Sequence, residues 1–155
     1  MAATGHAAYH HAAMYLVRHA AVVVDRAVPS HLWQLSAEGR SAAALLELPA
    51  GRALTSSEEK ARETARLAGL DATPDDRLRE IVRPWSDDYE ADVRRYLAGD
   101  DLAGWEPREQ ALRRLGAALD GFDGVAVTHG LAIALYTGLT FDGWRSMPFP
   151  AVIER

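Results

Sequence analysis

Cysteine is absent from the chain. That removes the disulfide, the thiolate nucleophile and the Cys-ligated metal from its chemistry, and leaves its redox compartment unreadable. Positive charge is also scarce: a formal net charge of −5 argues against nucleic acid or an anionic membrane as partner. Any anion site must then be a local basic pocket. Long apolar runs are missing too. The two most apolar windows, 42–48 and 131–139, are broken by Glu47 and Gly138, and neither reaches the ~20 residues of a membrane-spanning helix. A soluble, cytoplasmic protein is the expectation. What is present, 155 residues of which 48% are hydrophobic, suits one domain with a full core.

Residues 1–13, M-A-A-T-G-H-A-A-Y-H-H-A-A, show neither a hydrophobic period nor the charged and leucine-rich regions of a signal peptide. They read as a disordered extension, and residues 14–155 as the folded domain. His6, His10 and His11 are available for weak metal binding, as in any His-rich tail, and no metal or cofactor is expected to be required.

The organising stretch is M-Y-L-V-R-H-A, Met14 to Ala20. Its apolar part reads as a short buried strand that runs directly into Arg18 and His19, aiming a cation and an imidazole at one point. Ser36 is placed to cap a helix running to about Leu48, with Leu45, Leu46 and the alanines on its packing side and Pro49 as its stop. A second strand over 51–55 leads into Ser56-Ser57-Glu58-Glu59, where Ser56 and Glu59 have capping-box spacing for a helix reaching about Gly69. Residues 71–85 read as a linker broken by Pro74 and Pro84. Helices are predicted over 87–97 and 107–122, the latter with an apolar stripe at Leu112, Leu115, Leu119 and Phe122. A third strand over 124–127 ends in Thr128-His129-Gly130. A helix over 131–139 and a short strand over 148–153 close the chain.

This alternation predicts a single three-layer α/β/α domain with a mostly parallel central sheet. Ligands of such sheets bind outside the carboxyl ends of strands. Here those ends carry Arg18-His19, Thr55-Ser56-Ser57 and Thr128-His129, and the helix after Ser56 adds the positive end of a dipole. Convergence of these groups describes a phosphoryl site. For His129 taken alone, a satisfied core histidine is the competing reading.

V-R-H-A, L-S-A-E-G-R (Leu35 to Arg40), T-S-S-E-E-K-A-R-E-T-A (Thr55 to Ala65), L-R-E (Leu78 to Glu80) and V-T-H-G (Val127 to Gly130) follow one another in the order and spacing of the histidine phosphatase superfamily. The chain resembles its phosphoglycerate mutase-like, R-H-G branch over most of residues 14–130. In size it is closest to the small phosphohistidine phosphatases. The resemblance implies a phosphoglycerate mutase-like fold and a metal-independent hydrolase of phosphomonoesters or phosphohistidine. His19 would be the nucleophile, Arg18 and His129 the phosphate clamp, and Glu80 the proton donor. Its partner would be a small phosphorylated metabolite or a phosphohistidine protein.

The departures from the family pattern are specific. Ala20 replaces the glycine after the catalytic histidine, Ala21 a polar residue, and the usual asparagine a few residues on is missing. The second phosphate-binding arginine falls on Lys60, which keeps the charge but loses the planar fork. Around Lys60 the helical period turns Arg62 away, so it is not expected to substitute. After Glu80, I-V-R-P-W lacks the expected glycine and tryptophan-acid pattern. Asp87 and Asp88 are therefore alternatives for the proton donor, and an exposed loop carboxylate is the competing reading of Glu80. Two other functions stay open: a catalytically impaired phosphate or phosphoprotein binder, and a mutase, which the short chain disfavours. The substrate pocket is expected to draw its walls from 22–33 and 83–105, with Trp33, Arg83, Trp85 and Tyr89 making it partly aromatic.

Overall fold

The computed structural model describes residues 13–155. Apart from Ala13, whose carbonyl accepts the N–H of Gly124 at 3.2 Å, the expected extension of residues 1–13 lies outside the described residues.

Five strands form one sheet in the order β3-β2-β4-β1-β5. These are β1 (Met14–Arg18), β2 (Ala53–Ser56), β3 (Thr73–Asp75), β4 (Gly124–Thr128) and β5 (Ala151–Glu154). All neighbours are parallel except β5, which runs antiparallel to β1. Six α-helices complete the domain: α1 (Ala37–Ala44), α2 (Glu59–Leu67), α3 (Tyr89–Ala98), α4 (Arg108–Leu119), α5 (Gly130–Thr137) and α6 (Phe141–Arg145).

Strand alternation sorts the core onto two faces. Leu16 and Ala126 join Leu115, Leu119 and Ile133 from α4 and α5. Val17, Val125 and Val127 pack with Ala61 and Ala65 of α2 and with Leu46 and Leu48. Helices thus cover both faces, which is the three-layer arrangement expected. Register then sets the site. Arg18 stands opposite Thr128, and Thr55 opposite Val127, so the ends of β1, β2 and β4 lie side by side.

Several local expectations are corrected. The α1 helix stops at Ala44, leaving Leu45 81% exposed, while Ala43 is buried and Leu46 and Leu48, beyond the helix end, reach the core. Ser36 does cap it, accepting the Gly39 N–H at 3.0 Å. The capping box at Ser56 does not form: α2 starts three residues later, Glu58 is its N-cap residue, and its side chain makes no cap hydrogen bond. The segment read as a linker holds β3, with Pro74 inside it. That is tolerated because β3 lies at the sheet edge, where no neighbour needs the missing N–H. On α4, Leu112 is 38% exposed and Ala111 takes the buried position in its place.

Candidate active site

The end of β1 delivers His19 into the interior. Its Nδ1 lies 2.8 Å from the carbonyl oxygen of Ala20, an acceptor only, so Nδ1 carries the hydrogen and Nε2 keeps its lone pair. The backbone making this contact is itself held, because the Ala20 N–H donates to Thr64 Oγ1 of α2 at 3.0 Å. Burial, and then the neighbouring His129, hold the imidazole well below its ordinary pKa; Lys60 and Arg18 add to this, and the Ala20 carbonyl opposes it. His19 is therefore a neutral imidazole at physiological pH.

Arg18 lies beside it. Its Nη1 donates to the Met147 carbonyl at 2.7 Å, and its guanidinium carbon stands 3.4 Å from the centre of the Phe149 ring. Burial lowers its pKa to about 10, offset in part by Glu80 and Tyr89, so it remains a cation. Gly130 makes room for it: a Cβ there would meet Arg18 Nε at 2.6 Å. The glycine of V-T-H-G is a packing requirement of the arginine.

His129, with 0% exposure, meets His19 edge-on with 5.1 Å between ring centroids. Its Nε2 lies 2.7 Å from Ser56 Oγ and 3.0 Å from Glu58 Oε2. Its Nδ1 and the Nε of Arg18 are buried without a protein partner. Buried polar atoms are nearly always satisfied, and here the protein itself leaves these two without a partner, the Arg18 Nε packed against Gly130.

Lys60 is 4% exposed. Its Nζ donates to the Ser30 carbonyl at 2.7 Å, pairs with Glu58 Oε1 at 3.3 Å and lies 5.7 Å from the centre of the Trp33 ring. Arg62 is on the exposed side of α2. Glu80 is neither a free loop carboxylate nor remote from the cluster. It accepts the N–H groups of Ile81 (2.9 Å), Ala132 (2.8 Å) and Leu131 (3.1 Å), joining the L-R-E segment to the start of α5. A carboxylate offers about four acceptor positions, so one remains. The alternatives, Asp87 and Asp88, are occupied elsewhere: Asp87 faces Arg26 on the surface, and Asp88 caps α3.

Three contributions were not legible in the sequence. Ser56 serves His129 and not a helix cap. Phe149 roofs Arg18. Glu58 links Lys60, His129 and, through its Oε2, the Glu80 N–H at 2.8 Å. Burial alone would push the Glu58 carboxyl up, but His129, Lys60 and the Glu80 N–H together hold it well below the usual carboxylate range. A glutamate just ahead of a helix reads as a dipole partner, and only the fold brings His129 to it. The other hydroxyls expected at the end of β2 point elsewhere, Ser57 to Asp76 and Thr55 to the backbone.

Glu58 and Glu80 also line a cavity of about 460 Å³ that includes Leu32, Arg79, Val82 and Arg83. A second, of about 360 Å³, lies between Arg26, Trp33, Arg83 and Trp85. The second falls on the segments expected to wall the pocket; the first takes only Ser30, His31, Leu32 and Arg83 from them and draws the rest of its lining from 57–59 and 76–82, while Tyr89 is stacked on Trp105.

No protein-family model matches the sequence, and no curated protein matches it. Solved structures do. A phosphoglycerate mutase from Thermus thermophilus superposes with a TM-score of 0.65 at 28% identity, over 79% of this chain and 81% of that one. The fold is that of the phosphoglycerate mutase-like histidine phosphatases. A mycobacterial glucosyl-3-phosphoglycerate phosphatase shares the fold with a TM-score of 0.61 at 21% identity, over 92% and 88% of the two chains. Coverage is balanced in both pairs, so the chain is of similar length to a neighbour named as a mutase. Length therefore does not separate hydrolase from mutase. Among the described residues no helix is long and apolar enough to cross a membrane.

Proposed function

We propose that this protein is a phosphoric monoester or phosphohistidine hydrolase that works through a covalent phosphohistidine on His19. The observation that carries the reading is the commitment of His19 Nδ1 to the Ala20 carbonyl, beside two cations and a second histidine with an unpartnered nitrogen.

In the first step Nε2 attacks phosphorus, the N–P bond forms and the P–O bond to the leaving group breaks. The ring gains positive charge, which the Ala20 carbonyl meets through Nδ1–H. Charge on the phosphoryl oxygens is met by Arg18, Lys60 and His129. Glu80 delivers a proton to the leaving oxygen. In the second step water attacks phosphorus, the N–P bond breaks and Glu80 takes the proton of the water. The clamp supplies the positive charge that a divalent ion supplies to kinases, so turnover in the presence of chelator is expected.

Two other readings have support. The pairing of Lys60 with Glu58 suits a phosphate or phosphoprotein binder that has lost turnover, and the Thermus neighbour's name suits a mutase. Hydrolysis of an aryl phosphate with chelator present separates the first. A panel of phosphoglycerate, glucosyl-3-phosphoglycerate and a phosphohistidine peptide, scored for release against transfer of phosphate, separates the second. A protein that binds phosphate and turns over no member of the panel contradicts the hydrolase reading.

A further inference from the structure

Phe149 belongs to none of the hydrophobic clusters of the core. It is 45% exposed and lies instead on two polar groups of the site. The Arg18 guanidinium carbon is 3.4 Å from the ring centre, and the His19 imidazole is 5.7 Å away between centroids, tilted by 46°. The second ring against His19 shows which side Phe149 covers. His129 meets the imidazole at 5.1 Å and is wholly buried, so it lies inward, and the half-exposed Phe149 lies toward solvent. His19 is left 6% exposed and Arg18 7%, and the cavities of about 460 and 360 Å³ are lined by neither. A side chain so covered does not meet a phosphoryl group until something moves. The backbone beneath the ring is stiff, because Phe149 stands between Pro148 and Pro150, the first with its φ fixed and the second restricting the residue before it. The Met147 carbonyl is held by Arg18 Nη1 at 2.7 Å. What is left to move is the ring itself, about its own χ angles and toward its exposed side.

We infer that the Phe149 ring is the gate of His19: resting on the Arg18 guanidinium it closes the solvent side of the imidazole, and a substrate reaches Nε2 when the ring swings out. The contact that holds it closed is a single cation–ring pair at the surface, weak enough to open by thermal motion. Exposed side chains change rotamer in picoseconds to nanoseconds, far faster than turnover. The gate therefore acts through its population and not through its rate. It lowers the apparent affinity of whatever the site takes by the fraction of molecules in which the ring is out. The inference rests on the reading of His19 as the group a substrate must reach, and adds how access to it is controlled.

The test is acylation of the full chain by diethyl pyrocarbonate at low extent, mapped histidine by histidine by mass spectrometry, with the exposed His31 as internal standard. In wild-type protein His19 is expected to react much more slowly than His31. Phe149→Ala should raise the His19 rate roughly 3- to 30-fold, the population held by one cation–ring contact, whereas Phe149→Tyr, which keeps the ring, should leave it slow. The wholly buried His129 reports general loosening of the fold, and should stay unmodified in all three proteins. In hydrolysis of an aryl phosphate, Phe149→Ala should lower KM by the factor seen in acylation and leave kcat nearly unchanged. Four results overturn the gate and leave the hydrolase reading standing: a wild-type His19 as reactive as His31, an unchanged His19 rate in Phe149→Ala, a His129 modified there along with His19, or a KM that does not move. A gate seen by acylation in a protein that turns over no phosphate ester overturns the hydrolase reading instead.

Discussion

Lys60 stands where a planar, two-pronged cation would be expected, and it is buried with its charge already shared between the Ser30 carbonyl and Glu58. A lysine grips one oxygen at a time. If it holds the phosphoryl group during transfer, Lys60→Ala lowers kcat/KM by ~10²-fold or more, while Lys60→Arg retains or raises it by adding a second hydrogen bond. Unchanged kinetics and unchanged phosphate affinity in Lys60→Ala would remove Lys60 from the site. The position of Lys60 was readable from helical periodicity, because it shares the buried face of α2 with Ala61, Thr64 and Ala65. The partnership of Glu58 with His129 was not. It depends on the register that sets the end of β2 beside β4, and no local pattern encodes a contact between residues so distant in sequence.

The element that holds Glu80 in place is α4. Arg114 donates to both oxygens of Glu106 at 2.8 and 2.7 Å, and to the carbonyls of Arg77, Arg79 and Glu80. Glu106 in turn pairs with Arg79 at 3.6 Å, and its N–H donates to the Val82 carbonyl at 2.8 Å. Arg114 and Glu106 are both nearly inaccessible. Arg114→Met should therefore cost up to roughly 3–5 kcal/mol, because the buried Glu106 carboxylate is left with Arg79, at 3.6 Å, as its ionic partner. In melting temperature that is roughly 10 °C for a chain of this size. The double change Arg114→Met with Glu106→Gln should recover part of the loss. An unchanged melting temperature in Arg114→Met would show that Glu106 is compensated elsewhere. Neither residue stood out in the sequence, since an arginine on a helix and a glutamate before a proline read as solvated charge. The same limit explains β3: Pro74 argued for a break, and only the sheet edge makes it a strand. The 36–40 motif was legible because its reason is local. Ser36 caps α1, and a Cβ on Gly39 would clash with the Ala21 carbonyl.

Across the whole molecule, element order was enough to fix a three-layer α/β domain, and the pattern of strand ends to single out the candidate site where β1, β2 and β4 end side by side. What escaped were the charges buried between them, and these give the fold its pH dependence. His19 is held below its ordinary value of 6.5. Its neutral burial thus contributes stability that is fully present above that pH and is lost as acidification charges the unfolded chain first. Glu58 and Glu106 are held below the ordinary carboxylate value of 4.5, with burial opposing and their ion pairs prevailing. Their contribution is present above that pH and is lost below it. Stability against denaturant should therefore fall in two stages on acidification. The first stage, below about pH 6.5, has a slope of at most about 1.4 kcal/mol per pH unit and is absent in His19→Asn. A variant that keeps the first stage unaltered would assign it to another group. The central claim, a nucleophilic imidazole at the end of β1, is tested most directly by rapid quenching during turnover of a phosphorylated substrate. The account predicts a phosphoprotein labile to acid and stable to base, mapped to His19 and absent in His19→Ala; an active enzyme that yields no such adduct, or an adduct that survives in His19→Ala, would contradict it.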